Sequence, residues 1–232
     1  MPLAGSGFLA IWNDTADGGD AEWRQWHTVE HMPERVGVAG FLAGRRYAAR
    51  GPAAERYFTL YQGESIATFS SAPYLARLDN PTSWTVKTAP LFEKFLRGAC
   101  RTLASAGNGM GGAIATIRLA VSNPGRLERA SGDICRRIVA GDIARDLIAA
   151  HIGRCDPNIT GVPTRERAAR GNRSEPVFDA VLLVEGIGGA AVEAGLPGLE
   201  ALLQHEIHGA EPSVVGIYEL EICLEKQHLP PT

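Results

Sequence analysis

Residues 107–112 read GNGMGG and lie near the middle of the 232-residue chain. Four glycines in six positions predict a connecting segment, because glycine destabilises the interior of a helix or a strand. On both sides of this segment, short hydrophobic runs that end at turn residues alternate with longer amphipathic runs. We therefore predict two domains, the first over residues 1–107 and the second over residues 108–232.

The first stretch contains four predicted strands and two helical regions. Apolar, β-branched and aromatic residues predict strands at 7–12, 41–50, 56–63 and 100–106. An amphipathic helix is predicted from Asp20 to about Val36, before two glycines that end it. More helical sequence follows residue 63 and is interrupted by DNPTSW at 79–84. The predicted order is β-α-β-β-α-β.

The second stretch has the same predicted order with little similarity of sequence. The predicted strands are 113–121, 149–155, 177–185 and 214–224, with helices within 128–148 and around 190–207 and a polar loop over 156–176. The order β-α-β-β-α-β is typical of the ferredoxin-like fold, whose sheet carries helices on one face only. We therefore predict an α+β protein in which two tandem ferredoxin-like units pack their bare sheet faces together into a barrel-like core.

The composition is that of a globular protein, and it argues against several classes of partner. The chain is 45% hydrophobic and 21% charged, which is sufficient for a large core. Its net charge of −3 and pI near 6.1 argue against a nucleic-acid partner, which requires a basic surface. No apolar run has the length of a membrane span, and the N-terminal residues lack the basic region of a signal peptide. We expect a cytoplasmic protein with no nucleic-acid partner and no membrane partner, with homodimerisation left open.

The four cysteines, Cys100, Cys135, Cys155 and Cys223, are far apart in the sequence. They form no C-x-x-C pair and no finger-like spacing, so neither a zinc site nor a thioredoxin-like motif is predicted. We expect reduced thiols that are mostly buried as small apolar groups.

Two glycine patterns resemble dinucleotide-binding loops. Gly107, Gly109 and Gly112 match G-x-G-x-x-G, but a strand is predicted after them, so no helix N-terminus is available for a phosphate. The pattern at 186–191 follows a strand and opens a helix, yet no further β-α units follow to build a doubly wound sheet. Both patterns are interpreted as connections.

Residues 27–31, HTVEH, match the H-x-x-E-H motif of inverted zinc peptidases. His27 and His31 are about one helical turn apart and can approach a common point. The motif belongs to large peptidases, however, and Pro33 places the end of the helix close to His31. We therefore predict no metal site in this helix.

The spacing W-x-x-W-H-x-x-x-H-x-P around this motif has a closer match. It is formed by Trp23, Trp26, His27, His31 and Pro33. It resembles the helix of EthD-like proteins in the dimeric α/β-barrel superfamily, and RRY at 45–47 continues the resemblance on the following strand. Two departures are His27, where the family has an aromatic residue, and the absence of a proline before Gly40. The resemblance is good over residues 7–62, fair to about 105, and limited to the fold in the second half.

The resemblance implies a dimeric α/β-barrel type of pseudodimer within one chain, with a ligand cleft between the helices and the sheet. The superfamily includes muconolactone isomerases, cofactor-free monooxygenases and haem-handling proteins. Carried over by position, His31 is expected to perform acid–base chemistry, with Glu30 or Glu34 orienting it. Arg46 is expected to hold a substrate carboxylate or enolate.

Further residues are expected to bind the substrate in the same cleft. They are His27, Trp23, Arg45, Tyr47, Tyr61 and Trp84. Because side chains alternate between the two faces of a strand, only one of Arg45 and Arg46 is expected to face the cleft.

Three functions remain open from the sequence. The first is an enzyme that isomerises, rearranges or oxidises an aromatic-derived or lactone-like carboxylate by proton transfer, without an organic cofactor. The second is a non-catalytic binding module, with haem as the leading ligand because Trp and His line the same cleft. The third is a degenerate, structural family member in which His27 and His31 merely pack at the edge of the helix.

Overall fold

Eight antiparallel strands form one closed barrel in the computed structural model, which describes residues 3–171, 178–207 and 210–230. The strands are β1 Gly7–Thr15, β2 Phe41–Ala49, β3 Tyr57–Gly63, β4 Phe92–Gly107, β5 Ala113–Val121, β6 Leu147–Cys155, β7 Ala180–Gly186 and β8 Ala210–Glu225. Their order around the barrel is β1-β3-β2-β8-β5-β7-β6-β4. The first four strands are therefore neighbours in the order β4-β1-β3-β2 and the last four in the order β8-β5-β7-β6. The predicted α+β class is confirmed.

Helices cover the outside of this barrel. They are α1 Asp20–Trp26, α2 Met32–Gly37, α3 Ala72–Asp79, α4 Ser83–Thr88, α5 Pro124–Val139, α6 Pro157–Thr160, α7 Arg165–Ala169 and α8 Gly189–Glu206. None of these described helices is long and apolar enough to cross a membrane. α1 and α2 are parts of one helical run over residues 20–37, as the sequence predicts.

Several predicted boundaries are wrong, and strand pairing explains one of them and helix capping another. β4 begins at Phe92, well before residue 100, because β1 pairs with it as far as Thr15. α5 begins at Pro124, since the Asn123 side chain accepts a hydrogen bond from the backbone N–H of Arg126 and so caps the helix. β7 begins at Ala180, and the start of the strand predicted at 177–185 lies outside the described residues.

The barrel interior contains an apolar cluster to which strands of both halves contribute. Along β3, Phe58 and Leu60 belong to this cluster, whereas Thr59 and Tyr61 lie on the outer, helix-covered face. This alternation follows from the period of two of a strand. Trp12 on β1 donates from its indole Nε1 to Thr116 Oγ1 on β5 at 3.1 Å, which joins the two halves across the barrel.

Candidate functional site

The helical run over residues 20–37 is interrupted by a π-helical turn at HTVEH, residues 27–31. The backbone N–H of Met32 donates to the carbonyl of His27, an i→i+5 bond. The wider turn changes which side chains face the barrel, so Val29 is 62% exposed although regular helical spacing predicts it on the apolar face. His27 and His31 are both buried. Single π turns within α-helices are frequent at functional sites.

A cavity of about 50 Å³ lies between this helix, the outer faces of β1, β3 and β4, and the segment over residues 157–170. Helical residues on its wall are Trp23, His27, His31 and Arg35. Its apolar walls are Ile11, Phe69, Leu75, Leu78, Phe92, Phe95, Ile159 and Val162. Because one water needs roughly 10–15 Å³ by this measure, the cavity has room for about four waters.

Among the residues that line the cavity, four buried polar side-chain atoms have no hydrogen-bond partner within the described part of the chain. They are Trp23 Nε1, His31 Nδ1, Thr59 Oγ1 and the Tyr61 hydroxyl. A buried polar atom without a partner costs about 1–3 kcal/mol. Because the large majority of buried polar atoms in proteins are hydrogen-bonded, four such atoms on the residues around one cavity mark it as a candidate ligand site.

Both histidines are held in the neutral form. Burial, the neighbouring His31 and the guanidinium groups of Arg46 and Arg35 hold the pKa of His27 well below its ordinary value. Burial, Arg35 and Arg170 do the same for the pKa of His31. Arg46 Nη1 lies 3.3 Å from His27 Nδ1. Since arginine can only donate, this Nδ1 accepts and the proton of neutral His27 is on Nε2.

Aromatic stacking fixes the orientation of the two imidazole rings. Trp23 stacks on His27 with ring centroids 5.0 Å apart, and the ring centroids of Trp26 and His31 are 4.2 Å apart. The two imidazole centroids are 5.5 Å apart. The Arg46 guanidinium carbon lies 5.6 Å from the centre of the Trp23 ring. Arg46 on β2 therefore contacts Trp23, which in turn lines the cavity.

The charged residues on the cavity wall are mostly cationic. They are Arg35, Arg97, Arg167, Arg170 and Glu166. Glu166 pairs with the buried Arg35 and lies 2.9 Å from Arg170, and the Arg170 guanidinium lies 4.1 Å from the Phe95 ring centre. With neutral histidines, the three arginines Arg35, Arg97 and Arg170 outnumber the two carboxylates beside them, Glu166 and Glu34, and this excess of positive charge among the described residues favours an anionic ligand.

The segment over residues 157–170 comes from the second half of the chain and closes the cavity of the first half. The sequence prediction of a plain polar loop over 156–176 missed it, and so missed Glu166, Arg167 and Arg170. Two capping residues could have indicated its helices. The Asp156 side chain accepts from the backbone N–H of Asn158 before α6, and Thr164 accepts from that of Arg167 before α7.

The structure brings some of the predicted site residues together in the cavity. His31, His27, Trp23 and Tyr61 line it. Arg46 does not line the cavity itself but contacts His27, which does. It donates to Thr28 Oγ1 at 2.9 Å and pairs with Glu221 at 2.8 Å.

Glu30 and Trp84 do not line the cavity. Glu30 accepts a hydrogen bond from the Thr82 hydroxyl at 2.6 Å, whereas the His31 Nδ1 that it was expected to orient has no partner among the described residues. Trp84 donates to Glu22 at 2.9 Å near the protein surface. Both side chains therefore tie the helix over residues 20–37 to α4.

Arg45 and Tyr47 lie on the opposite face of β2, inside the barrel. Arg45 Nη1 is 2.9 Å from Glu185 Oε1 on β7, and Tyr47 packs against Phe58 with centroids 5.7 Å apart. The expectation that only one of the two arginines faces the helix agrees with this placement, in which Arg46 is that residue. The placement of Arg45 and Tyr47 in the same cleft is corrected, because strand alternation turns both away.

The described ranges contain no group of three His, Cys, Asp or Glu side chains placed to hold a metal ion. His27 and His31 are near each other, but His27 Nδ1 is occupied by Arg46. The HTVEH segment therefore lacks a third ligand among the described residues.

No protein-family model matches the sequence, and no curated protein matches it. Solved structures do. The chain is similar to an anthrone oxidase-like protein, with a TM-score of 0.60 and 8% identity over 97% of this chain and 94% of that one. It is similar to a haem-binding protein from Thermus thermophilus, with a TM-score of 0.52 and 8% identity over 99% and 95% of the two chains. It is also similar to a mutant chlorite dismutase from Candidatus Nitrospira defluvii, with a TM-score of 0.51 and 8% identity over 94% of this chain and 92% of that one. The barrel thus has the dimeric α/β-barrel type of fold.

Proposed function

We propose that the protein is a small-molecule enzyme whose active site is the cavity beneath the helix over residues 20–37. Its reaction is a proton-transfer isomerisation or rearrangement, or a cofactor-free oxidation, of an aromatic-derived or lactone-like carboxylate. The observation that carries this proposal is that the described residues around one cavity with apolar walls include four buried polar atoms without a hydrogen-bond partner among them, one of which is His31 Nδ1. Such a wall supplies apolar contact for a ring or lactone and a few polar atoms that fix its orientation.

We also propose that the chain is an EthD-like protein built from two tandem ferredoxin-like units, over residues 1–107 and 108–232. The common strand order of the two halves supports the repeat. The W-x-x-W-H-x-x-x-H-x-P spacing supports the EthD-like assignment of the first unit. Homodimerisation remains a prediction.

The charge of the site indicates the class of substrate. Arg35 and Arg170 share the single carboxylate of Glu166 on the cavity wall, although Glu34 also contacts Arg35 at 3.0 Å. An anionic group that enters the cavity gains attraction from these guanidinium groups in a buried setting, where screening by water is weak. A carboxylate, a phenolate or an enolate meets this requirement.

His31 is the proposed base. In the tautomer with its proton on Nε2, the unpartnered Nδ1 accepts a proton from a C–H or O–H group of the substrate. The low pKa of His31 reflects burial and then Arg35 and Arg170, and an anionic substrate offsets the effect of these two arginines. Return of the proton from His31 to a different substrate atom completes an isomerisation.

The other unpartnered groups are suited to stabilise negative charge on the substrate. The Tyr61 hydroxyl, the Thr59 hydroxyl and the Trp23 indole N–H are all potential donors on the same wall. Burial raises the pKa of Tyr61, so its hydroxyl keeps its proton and donates. Fixed donors of this kind stabilise an enolate or oxyanion as it forms.

The volume of the cavity limits what can bind without movement. Pockets for drug-sized ligands are about 300–1,000 Å³, and this cavity is about 50 Å³. A ring-sized substrate therefore requires the segment over residues 157–170 to move outward. Haem is larger still and does not fit the cavity as folded, although His31 Nδ1 is a chemically suitable ligand. A haem-binding module is the second candidate function, favoured by that unpartnered nitrogen.

A ligand screen with matched variants tests both candidates. Wild type, His31→Asn and His205→Asn are compared by thermal shift against benzoate, salicylate, catechol, muconolactone and hemin. His205 is a suitable control because its side chain is 80% exposed and lies outside the cavity. We expect one organic anion to raise the Tm of wild type and His205→Asn by several degrees more than that of His31→Asn.

Turnover then separates an enzyme from a binding module. For the anion that binds, conversion is followed by chromatography and oxygen uptake, and we expect His31→Asn to lower kcat by roughly 10²–10⁴-fold. Binding that is equal in all three proteins contradicts the site. Binding without conversion contradicts catalysis, and a hemin Soret band that moves on substitution of His31 favours the haem-binding alternative.

A further inference from the structure

Cys100 and Cys155 face each other across the junction between the two halves of the barrel. They are register partners on the antiparallel strands β4 and β6. The backbone N–H of Asp156 donates to the carbonyl of Ala99 at 2.9 Å, whereas that of Cys155 donates away from β4, to Asp179, at 2.8 Å. The two cysteines therefore form a non-hydrogen-bonded pair, the type in which opposite side chains lie closest together.

This pairing satisfies the geometric requirement of a disulfide. Opposite residues of a non-hydrogen-bonded pair have Cα atoms about 4.5 Å apart, and disulfides span about 4.4–6.8 Å between Cα atoms. Cys100 is fully buried, and Cys155 is partly exposed, so a small oxidant can reach Cys155 first. Both are free thiols in this structure.

We propose that Cys100 and Cys155 are an oxidation site that forms an intramolecular disulfide when the protein meets hydrogen peroxide. The bond links β4 of the first half to β6 of the second half. It lies directly beside the segment that closes the cavity, since Cys155 Sγ is 3.5 Å from Thr160 Oγ1.

The reaction has two steps and consumes one peroxide. The Cys155 thiolate attacks one peroxide oxygen, the O–O bond breaks, and after protonation Cys155 carries a sulfenic acid while one water leaves. The Cys100 sulfur then attacks the sulfenic sulfur, the S–S bond forms, and the Cys100 proton leaves with the sulfenic hydroxide as a second water. Two thiols are oxidised by two electrons in total, and these reduce the peroxide.

The local environment assigns different roles to the two thiols. Hydrogen bonding with the side chains of Cys100 and Thr160 lowers the pKa of Cys155 to about 7 in spite of burial. Burial raises the pKa of Cys100 well above its ordinary value. Since the thiolate is the nucleophile, Cys155 reacts first and Cys100 resolves the sulfenic acid.

Cys135 and Cys223 serve as internal controls. Burial raises the pKa of Cys135 to about 12, and burial also raises the pKa of Cys223. The register partner of Cys223 is Arg45, and Cys135 lies on helix α5, so neither occupies a cross-strand cysteine pair.

The test uses the reduced full-length protein treated with equimolar hydrogen peroxide. We expect the intact mass to fall by two hydrogens and a non-reducing peptide map to show one linked peptide containing Cys100 and Cys155, reversed by dithiothreitol. At pH 7, we expect Cys155 to be alkylated faster than the other three cysteines of the chain, because its thiolate fraction is higher and its side chain is partly exposed. The wild-type map needs no variant and therefore does not depend on a substitution being tolerated.

Variants assign the order of the two steps. Cys155→Ser should lose the linked peptide, Cys100→Ser should stop at a sulfenic acid that dimedone labels at Cys155, and the double variant Cys135→Ser/Cys223→Ser should behave as wild type. Oxidation that appears first at Cys135 or Cys223, a linkage between two chains, or an unchanged mass after peroxide would each overturn the proposal.

Discussion

The two halves of the barrel share a strand order, but the helices that cover them leave different interiors. On the second half, α5 and α8 have 16 and 18 residues and pack over a large cluster of buried apolar residues. On the first half, a π turn interrupts the helix over residues 20–37, and α3 and α4 have 8 and 6 residues. A cavity remains there, and some of the residues around it have buried polar atoms without a partner in the described part of the chain. The strand order thus sets the scaffold, whereas the continuity of the helices decides whether the outer face is a core or a site.

The largest effect is expected from damage to the packed half. Leu199 on α8 is completely buried in its apolar cluster. Leu199→Ala should lower the free energy of unfolding by about 2–5 kcal/mol, because it removes apolar contacts and leaves a cavity. Urea denaturation measures the change, with the exposed neighbour Glu200→Ala as control. A loss below about 1 kcal/mol would show that the second half is loosely packed and that the contrast between the halves is wrong.

The next effect concerns the contact between the halves at the site. Glu166 belongs to the segment from the second half and pairs with the buried Arg35 of the first half. Glu166→Gln should lower the free energy of unfolding by roughly 3 kcal/mol, because it leaves a buried guanidinium with less compensation. This is the low end for a broken buried pair, since Glu34 still contacts Arg35.

The control for this charge removal is Glu193→Gln. Glu193 is 65% exposed and lies 3.8 Å from Arg50, so its pair should contribute at most a few tenths of a kcal/mol. If both variants unfold at the same urea concentration, the segment over residues 157–170 is not held by this pair.

Much of the fold could be predicted from local patterns. The run from Asp20 to Val36 carries helical periodicity, and β3 is rich in aromatic and β-branched residues, so both elements are found where the sequence predicts them. Strand alternation predicts that Arg45 and Arg46 point in opposite directions. It does not predict which of them faces the helix, because that depends on which face of β2 is turned inward when the barrel closes.

The site was only partly predictable because its decisive contacts are not local. Glu166 and Arg35 are 131 positions apart in the sequence. Regular helical periodicity would place Val29 in the core, but the π turn leaves this side chain exposed. Glu30 and Trp84 were expected in the cleft, yet each is bonded to a residue more than 50 positions away, Thr82 and Glu22 respectively.

The pH dependence of stability should distinguish the site from the rest of the molecule. His27 and His31 have depressed pKa values in the folded state, so the unfolded chain binds more protons below about pH 6.5. The free energy of unfolding therefore falls as the pH drops through this range, by up to about 1.4 kcal/mol per pH unit for each histidine. His31→Asn should lose about 1 kcal/mol less than wild type between pH 7.5 and pH 5.5.

Urea denaturation at the two pH values measures this difference. His205→Asn is the matched control, because its exposed side chain lies outside the cavity, and it should follow the wild-type curve. Parallel curves for wild type and His31→Asn would mean that His31 is readily protonated in the folded protein, which contradicts its burial beside Arg35 and Arg170.

The smallest effect should have the opposite sign. Thr59 is 1% exposed and its hydroxyl has no partner among the described residues, whereas the equally buried Thr116 accepts from Trp12 inside the barrel. Thr59→Val keeps the shape and removes an unsatisfied polar atom, so it should raise the free energy of unfolding by about 0.5–1 kcal/mol. Thr116→Val leaves the Trp12 indole N–H unpaired and should lower the free energy of unfolding by about 1–2 kcal/mol.

If Thr59→Val gains stability but loses affinity for the ligand found in the screen, the polar wall is maintained at the expense of stability for binding. If it loses stability as Thr116→Val does, the hydroxyl has a partner in the folded protein, and the first half is packed in the same way as the second.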